Sequence, residues 1–181
     1  MGLGKKGEAI WGKEVVEYAQ SRMKLSRFNM LVGFEVMQLS EGGAVLGMTV
    51  REHHRQIHEV VHGGVTAALA DTAGAFAAYT VVPKGTELAT IELKINYLLP
   101  IPGGRVRAEG KVLRAGRNFI VVECDVRNEK GALAAKALMT FGATGGRPLA
   151  GDGKNQPKSP ARSRIQLKKV QLKKGRKKSA R

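Results

Sequence analysis

All four histidines of the chain lie in one stretch, HHRQIHEVVHGGVTAALADTAGAFAA, which covers residues 53–78. Three of them, His54, His58 and His62, are four residues apart, and this spacing on a helix would place them on one face. Histidines spaced in this way can share a zinc ion. The segment lacks strong helix signals, however, and no cysteine or constellation of carboxylates accompanies it, apart from Glu52 and Glu59. We therefore expect no metal site, and we interpret His53 and His58 as surface residues of a loop.

The glycine pair Gly63-Gly64 follows directly and is predicted to begin a helix. The first turn of a helix has free N–H groups, and the helix dipole favours negative charge there. Such an N–H could stabilise the oxyanion that forms when a carbonyl group is attacked. The alternative is that the glycines only permit a turn.

Asp71 is the one carboxylate in the alanine-rich run that follows. Aspartate is a poor residue inside a helix, and burying its charge is costly without partners. A carboxylate retained there is predicted to be a general base or a nucleophile with a shifted pKa. The alternative is a structural carboxylate that is satisfied by Thr72 or by a neighbouring strand.

The separation of Gly63 and Asp71 bears on how they could act together. Eight residues of helix correspond to a rise of about 12 Å, whereas a base and an oxyanion donor must each lie about 3 Å from the reacting group. One helix cannot easily supply both groups to one substrate, but two antiparallel copies across a twofold axis can. The spacing therefore predicts an obligate homodimer with two shared sites, with Gly63 from one subunit and Asp71 from the other.

The rest of the pattern predicts the elements that would position these residues. Periodicity and turn residues indicate a helix over 8–25, strands over 33–40 and 44–50, a buried helix over 63–79, and strands over 89–98, 104–115, 118–128 and 132–142. Strands that flank one helix, without βαβ alternation, predict an α+β protein with one antiparallel sheet around one buried helix.

The charge of the chain is concentrated at its end. The 181 residues have a net charge of +16, and residues 147–181 hold 13 Lys/Arg and only one acid, which gives +12 and leaves +4 for residues 1–146. We predict that this basic tail is disordered. The alternative is an electrostatic arm that contacts nucleic acid, anionic lipid or an acidic partner.

Composition narrows the remaining classes of function. Cys124 is the only cysteine, so no disulfide framework exists, and its strand face is apolar, which predicts a small core residue and not a nucleophile. No run reaches the roughly 18 apolar residues that span a membrane. The N-terminus carries acids and lacks the apolar region of a signal peptide. We expect a cytoplasmic protein.

Three stretches together resemble the hotdog-fold acyl-CoA thioesterases of the 4-hydroxybenzoyl-CoA thioesterase superfamily, and in particular their PaaI-like branch. They are VVHGGVTAALADTAGAFAA, ATIELKINYLLPIPGG and VLRAGRNFIVVECDVRNEKGALAAKALMTFGA. The resemblance implies a hotdog fold, in which an antiparallel sheet wraps around a long central helix. It divides the chain into an N-terminal helical segment over 1–28, a hotdog thioesterase domain over 29–146 and the basic tail over 147–181, which is outside the family pattern.

The resemblance also implies roles for five catalytic residues. Asp71 occupies the acidic position that activates water or attacks the thioester, and the Gly63 N–H polarises the thioester carbonyl. His62 matches the histidine before the glycines and fixes that turn. Gln56 falls near the thioester, and Thr90 falls where some members hold the water.

Coenzyme A would lie along the dimer interface. The resemblance places Arg114, Arg117 and Asn118 near its nucleotide phosphates, although a solvated hairpin turn is the alternative. Gly64 and His54, which matches an upstream histidine, are counted among the substrate-binding residues. The family needs no metal or cofactor, because coenzyme A is part of the substrate.

The sequence therefore predicts hydrolysis of an acyl-CoA or aroyl-CoA thioester by a homodimer or a tetramer of such dimers. The acyl group stays open, and its pocket is expected to be lined by residues that include Phe28, Met30, Phe76 and Tyr79. The alternative function is a non-catalytic acyl-CoA-binding hotdog sensor whose basic tail binds nucleic acid. A hotdog hydratase is disfavoured, because no Asp–His pair is visible.

Overall fold

The computed structural model describes residues 12–143. Its helices and strands are α1 (Lys13–Met23), α2 (Arg27–Val32), β1 (Glu35–Ser40), β2 (Gly43–Thr49), α3 (Gly63–Tyr79), β3 (Leu88–Tyr97), β4 (Arg105–Ala115), β5 (Phe119–Arg127) and β6 (Leu133–Ala143). Every predicted strand and both predicted helices have a counterpart. The six-residue helix α2 was not predicted. The basic tail lies outside the described residues, and the domain boundaries near residues 28 and 146 stay predictions.

The six strands form one antiparallel sheet in the order β1-β2-β4-β5-β6-β3. Helix α3 packs against this sheet and contacts all six strands. The arrangement is the α+β fold with a sheet around one central helix that the sequence predicts. Strand β3 lies at one edge of the sheet and β1 at the other.

Small residues allow α3 to lie close to the sheet. A Cβ atom on Gly110 of β4 would lie 2.7 Å from the carbonyl oxygen of Ala73, so β4 can pass this helix turn only with glycine at that position. A Cβ atom on Gly74 would similarly lie 2.6 Å from the Met139 methyl group on β6. The alanine and glycine content of α3 therefore fixes its distance from β4 and β6.

The core behind α3 is apolar and includes the single cysteine. Cys124 is 0% exposed, as are its neighbours Val122 and Val126 on the same face of β5. Burial above all, together with the nearby negative charge of Asp125, raises the pKa of the Cys124 thiol to about 12. The thiol is thus protonated at neutral pH, which confirms the prediction of a core residue and not a nucleophile.

Candidate active site

Strand β3 lies beside α3 and contacts it at two places because of a β-bulge. The pairing of β3 with β6 skips Ile91, so this residue is an extra one in the strand. Side chains alternate between faces along a strand, and an extra residue reverses that alternation. Thr90, before the bulge, and Tyr97, seven residues later, therefore both reach α3.

At the first of these places, the carboxylate of Asp71 meets Thr90. Asp71 is half-buried on α3, and the Thr90 hydroxyl donates a hydrogen bond of 2.8 Å to its Oδ1. Burial raises the pKa of the Asp71 carboxyl, and the hydrogen bond from Thr90 partly opposes this rise. A carboxylate with a raised pKa is a stronger base than an exposed one, as a general base requires.

The neighbouring Thr72 does not satisfy this carboxylate. Its hydroxyl donates 2.7 Å to the carbonyl oxygen of Ala68, one turn back in the same helix. The sequence analysis offered Thr72 or a neighbouring strand as a structural partner of Asp71. In the structure, this partner is Thr90 of the neighbouring strand β3. Within residues 12–143, the second carboxylate oxygen, Oδ2, has no hydrogen-bond donor.

At the second place, the first turn of α3 is held by His62, as the resemblance implied. The Gly64 N–H donates 2.9 Å to the Nδ1 atom of His62, and the N–H groups of Val65 and Thr66 donate to the His62 carbonyl oxygen. The remaining N–H of this turn, that of Gly63, has no acceptor in the described part of the chain. It is therefore available as a donor at the positive end of the helix dipole.

A cavity of about 400 Å³ adjoins this turn. Gly63 and Gln56 both line it, so the structure brings together two of the predicted catalytic residues. Most of the remaining wall is apolar and comes from Val60, Val61 and the segment 97–101. A mostly apolar cavity with a few polar groups on its wall is the usual arrangement of a site for a small organic group.

The five predicted catalytic residues thus form two groups in one chain. Gly63, His62 and Gln56 lie at the start of α3, whereas Asp71 and Thr90 lie eight residues further along it. This part of α3 rises about 12 Å, as the sequence analysis assumed. The shared use of the two groups across a dimer stays a prediction at this point.

His54 lies beneath the turn that precedes α3 and is 1% exposed. Its Nδ1 accepts 3.0 Å from the Arg51 N–H, and its carbonyl oxygen accepts 2.8 Å from the His62 N–H. Burial, followed by the charge of His53, lowers the pKa of the His54 ring, so the ring is neutral at neutral pH. In this structure His54 anchors His62, and contact with a substrate stays a prediction.

The predicted phosphate-binding residues Arg114, Arg117 and Asn118 are exposed on the hairpin between β4 and β5. This hairpin lies toward the C-terminal end of α3. The Val112 N–H donates to the Gly42 carbonyl oxygen, and the Gly42 N–H in turn donates to the hydroxyl of Thr80 at the end of the helix. The structure therefore does not bring these residues to Gly63, and their role stays a prediction.

Tyr97 is a residue that the sequence analysis did not single out. Its hydroxyl donates 2.9 Å to the Gly63 carbonyl oxygen, and its ring lies against the Gly63 backbone. A tyrosine at the end of an edge strand gives no strong signal in the sequence. Only the bulge at Ile91 places it on the same side as Thr90.

Between residues 12 and 143, no three His, Cys, Asp or Glu side chains are grouped so that they could bind a metal ion. No helix over the same residues has the length and apolar character needed to cross a membrane.

Comparisons with known proteins point to the same family. The family model described as the thioesterase superfamily matches residues 58–135. A putative esterase of Saccharolobus solfataricus is 39% identical over 104 residues, which cover 58% of this chain and 74% of the relative. The proofreading thioesterase EntH of Klebsiella pneumoniae is 29% identical over 121 residues, which cover 67% of this chain and 88% of EntH.

Solved structures show the same fold. A thioesterase of Haemophilus influenzae has a TM-score of 0.67 and 27% identity, covering 71% of this chain and 89% of that protein. The PaaI protein of the E. coli phenylacetic acid degradation operon has a TM-score of 0.65 and 24% identity, covering 70% and 91%, and this match concerns the fold alone.

The sheet, its central helix and these neighbours define an α+β protein with the hotdog fold, as the resemblance implied. On the sequence matches, the chain belongs to the thioesterase superfamily.

Proposed function

We propose that the protein hydrolyses the thioester bond of an acyl-CoA or aroyl-CoA to give the free acid and coenzyme A. Membership of the thioesterase superfamily supports thioester hydrolysis in general. The observation that carries the proposal is Asp71, a half-buried carboxylate whose pKa is raised by burial. It lies on the same helix as the Gly63 N–H, which has no acceptor among the residues that the structure describes.

In the proposed reaction, the ionised Asp71 carboxylate removes a proton from water as the water oxygen attacks the thioester carbonyl carbon. The Gly63 N–H stabilises the resulting oxyanion. The carbon–sulfur bond then breaks, and the proton passes from Asp71 to the sulfur of the leaving coenzyme A. Gln56 orients the thioester from the cavity that it shares with Gly63, and Thr90 holds Asp71 in place.

Asp71 could instead attack the thioester carbon directly, which would release coenzyme A and leave a mixed anhydride that water then hydrolyses. The structure is compatible with both routes, because Oδ2 has no hydrogen bond within residues 12–143. Mass spectrometry of protein quenched during turnover distinguishes them, since only the second route adds an acyl group to Asp71.

The site is proposed to form between two subunits. A rise of about 12 Å along α3 separates Gly63 from Asp71, and an antiparallel copy of the helix would place Asp71 of the partner subunit opposite Gly63. The hairpin residues Arg114, Arg117 and Asn118 would then interact with the nucleotide phosphates of coenzyme A. The proposal includes no metal or prosthetic group.

The direct experiment is a panel of short-chain, long-chain and aromatic CoA thioesters, with free thiol measured as it is released. We expect turnover of at least one CoA thioester by the wild-type protein and almost none by Asp71→Asn. A wild-type protein without turnover on the whole panel, or an Asp71→Asn variant as active as wild type, would contradict the proposal.

A second candidate function rests on the net charge of +12 over residues 147–181. It is an acyl-CoA sensor whose tail binds nucleic acid. Removal of residues 147–181 distinguishes the two functions. A thioesterase keeps its turnover after this deletion, whereas a sensor loses a nucleic-acid affinity that depends steeply on salt.

A further inference from the structure

The peptide group that joins Gly63 to Gly64 is held at both of its polar atoms. Its carbonyl oxygen accepts 2.9 Å from the Tyr97 hydroxyl, and its N–H donates 2.9 Å to the Nδ1 atom of His62. Two successive glycines have more backbone freedom than any other pair of residues. The two rings therefore add two restraints to a peptide plane that joins two residues with high backbone freedom.

Each glycine also lies so close to one of these rings that little room is left for a side chain. A Cβ atom on Gly63 would lie 3.2 Å from Cζ of Tyr97, and one on Gly64 would lie 3.0 Å from Nδ1 of His62. Both contacts are closer than ordinary van der Waals contact. A side chain at position 63 would therefore require the Tyr97 ring to shift by a few tenths of an ångström.

Tyr97 thus restrains one of the two peptide groups that meet at the Gly63 Cα atom. The Gly63 N–H belongs to the other group, whose His62 carbonyl oxygen accepts from the Val65 and Thr66 N–H groups. With the peptide plane after Gly63 fixed, the plane that carries its N–H can move relative to it only by rotation about the two backbone bonds of Gly63, N–Cα and Cα–C. That N–H is the donor without an acceptor in the described residues, next to the cavity that Tyr97 also lines. Loss of the Tyr97 hydrogen bond would let this donor vary in direction.

We propose that Tyr97 is a positioning residue of the reaction, which acts through Gly63 to hold the oxyanion donor in its productive direction. This inference rests on the proposed thioesterase function. The Tyr97 hydroxyl is occupied by the Gly63 carbonyl oxygen, so its assigned role is to orient that donor and not to touch the reacting atoms.

The substitution Tyr97→Phe removes only the hydroxyl and leaves the ring over Gly63. We expect kcat to fall about three- to tenfold, the value of one neutral hydrogen bond, with KM changed by less than about twofold because the donor acts mainly in the transition state. Tyr18→Phe is the matched control, because Tyr18 is similarly exposed (56%, against 54% for Tyr97) and lies on α1. This control should keep the wild-type kcat.

A second readout does not depend on turnover. In protein labelled with ¹⁵N-glycine, the Gly64 amide resonance reports the hydrogen bond to the Gly63 carbonyl, because both belong to one peptide group. Tyr97→Phe should shift this resonance, whereas Tyr18→Phe should leave it in place.

A double variant tests whether Tyr97 acts through Gly63. A methyl group at position 63 disturbs the same Gly63–Tyr97 contact. If Tyr97 acts through Gly63, Tyr97→Phe should therefore lower kcat by less than about twofold in a Gly63→Ala background. Full additivity of the two losses would contradict the proposal.

The outcomes separate this proposal from the proposed function. An active wild type together with a Tyr97→Phe variant of unchanged kcat, or of unchanged Gly64 resonance, overturns the role of Tyr97 alone. A wild type that releases no thiol from any CoA thioester overturns the thioesterase function and this role with it.

Discussion

The first residue of α3 and the carboxylate two turns further along are both held by strand β3, but in different ways. At Gly63, the Tyr97 hydroxyl donates to the backbone carbonyl oxygen, and the N–H of the same residue has no acceptor within residues 12–143. At Asp71, the Thr90 hydroxyl bonds directly to the side chain that would react. The contact with Tyr97 helps to orient the Gly63 N–H, whereas the contact with Thr90 also lowers the pKa of the Asp71 carboxyl.

This difference leads to different expected signatures for the two ends. A change at Gly63 should lower kcat without moving its pH dependence, because no titrating group is involved. A change at Thr90 should move the pH dependence, because the hydrogen bond lowers a pKa that burial raises. A variant at Gly63 is therefore recognised by a lower kcat alone, and a variant at Thr90 by a shifted pH dependence.

The largest effect is expected for Asp71→Asn. Loss of the base should lower kcat by about 10²- to 10⁴-fold, with little change in KM, in a thiol-release assay. The melting temperature should be equal to that of wild type or higher. The folded state raises the pKa of Asp71, so stability from this group decreases as the pH rises through that pKa, and asparagine removes the decrease.

The matched control for this variant is Glu41→Gln, which removes an exposed carboxylate in the turn between β1 and β2. It should have wild-type kcat. If Asp71→Asn unfolds or loses its oligomeric state, the loss of activity no longer reports on the base. Asp71→Glu then becomes the informative variant, because it keeps the carboxylate but moves it, and it should retain partial activity.

An intermediate effect is expected for Gly63→Ala. Alanine favours helix formation by up to about 1 kcal/mol over glycine inside a helix, and the shift that its methyl group requires of Tyr97 opposes this gain. We therefore expect the stability of the variant to lie within about 1 kcal/mol of wild type. Its Cβ atom would lie 3.2 Å from the Tyr97 ring. Disturbance of the oxyanion donor should lower kcat by about tenfold or more.

Gly103→Ala is the control for this glycine substitution. A Cβ atom at position 103 would make only an ordinary contact of 3.5 Å with Arg55. Steady-state kinetics should show wild-type kcat for this control. A Gly63→Ala variant with the same kcat as the Gly103→Ala control would show that the first turn of α3 does not take part in the reaction.

The smallest effect on rate, and the clearest one on pH, is expected for Thr90→Val. Loss of the hydrogen bond that lowers the Asp71 pKa should raise this pKa further, so the acidic limb of the kcat–pH profile should move to higher pH. The maximal kcat should fall by only about a few-fold.

Thr72→Val is the control for this pH shift, because the Thr72 hydroxyl bonds to the Ala68 carbonyl and not to Asp71. Its acidic limb should coincide with that of wild type. An acidic limb of Thr90→Val that stays in place, or moves to lower pH, would show that Asp71 is not the group that titrates.

Much of the fold could be predicted from local patterns. Helix α3 begins and ends at the predicted residues, since the glycine pair, the small-residue run and the following turn mark both limits. Helix α2 was missed because its six residues, Arg27–Val32, are too few for a periodic pattern. Its capping residues Ser26 and Gly33 were the available signals.

The candidate site was predictable only in part. Asp71 stood out because a carboxylate among alanines is unexpected in a buried helix, and its raised pKa agrees with that reasoning. Tyr97 could not be found in this way. In a regular strand it would point to the opposite side from Thr90, and the bulge at Ile91 that reverses this is set by the pairing of β3 with β6.

The central claim is that Gly63 and Asp71 act together from different subunits. It is tested most directly by refolding equal amounts of the Gly63→Ala and Asp71→Asn proteins together and measuring thiol release. Random pairing makes about half of the dimers mixed, and each mixed dimer keeps one undamaged site of two. We therefore expect the activity to increase to about a quarter of that of wild type. Activity equal to the average of the two separate variants would contradict a shared site.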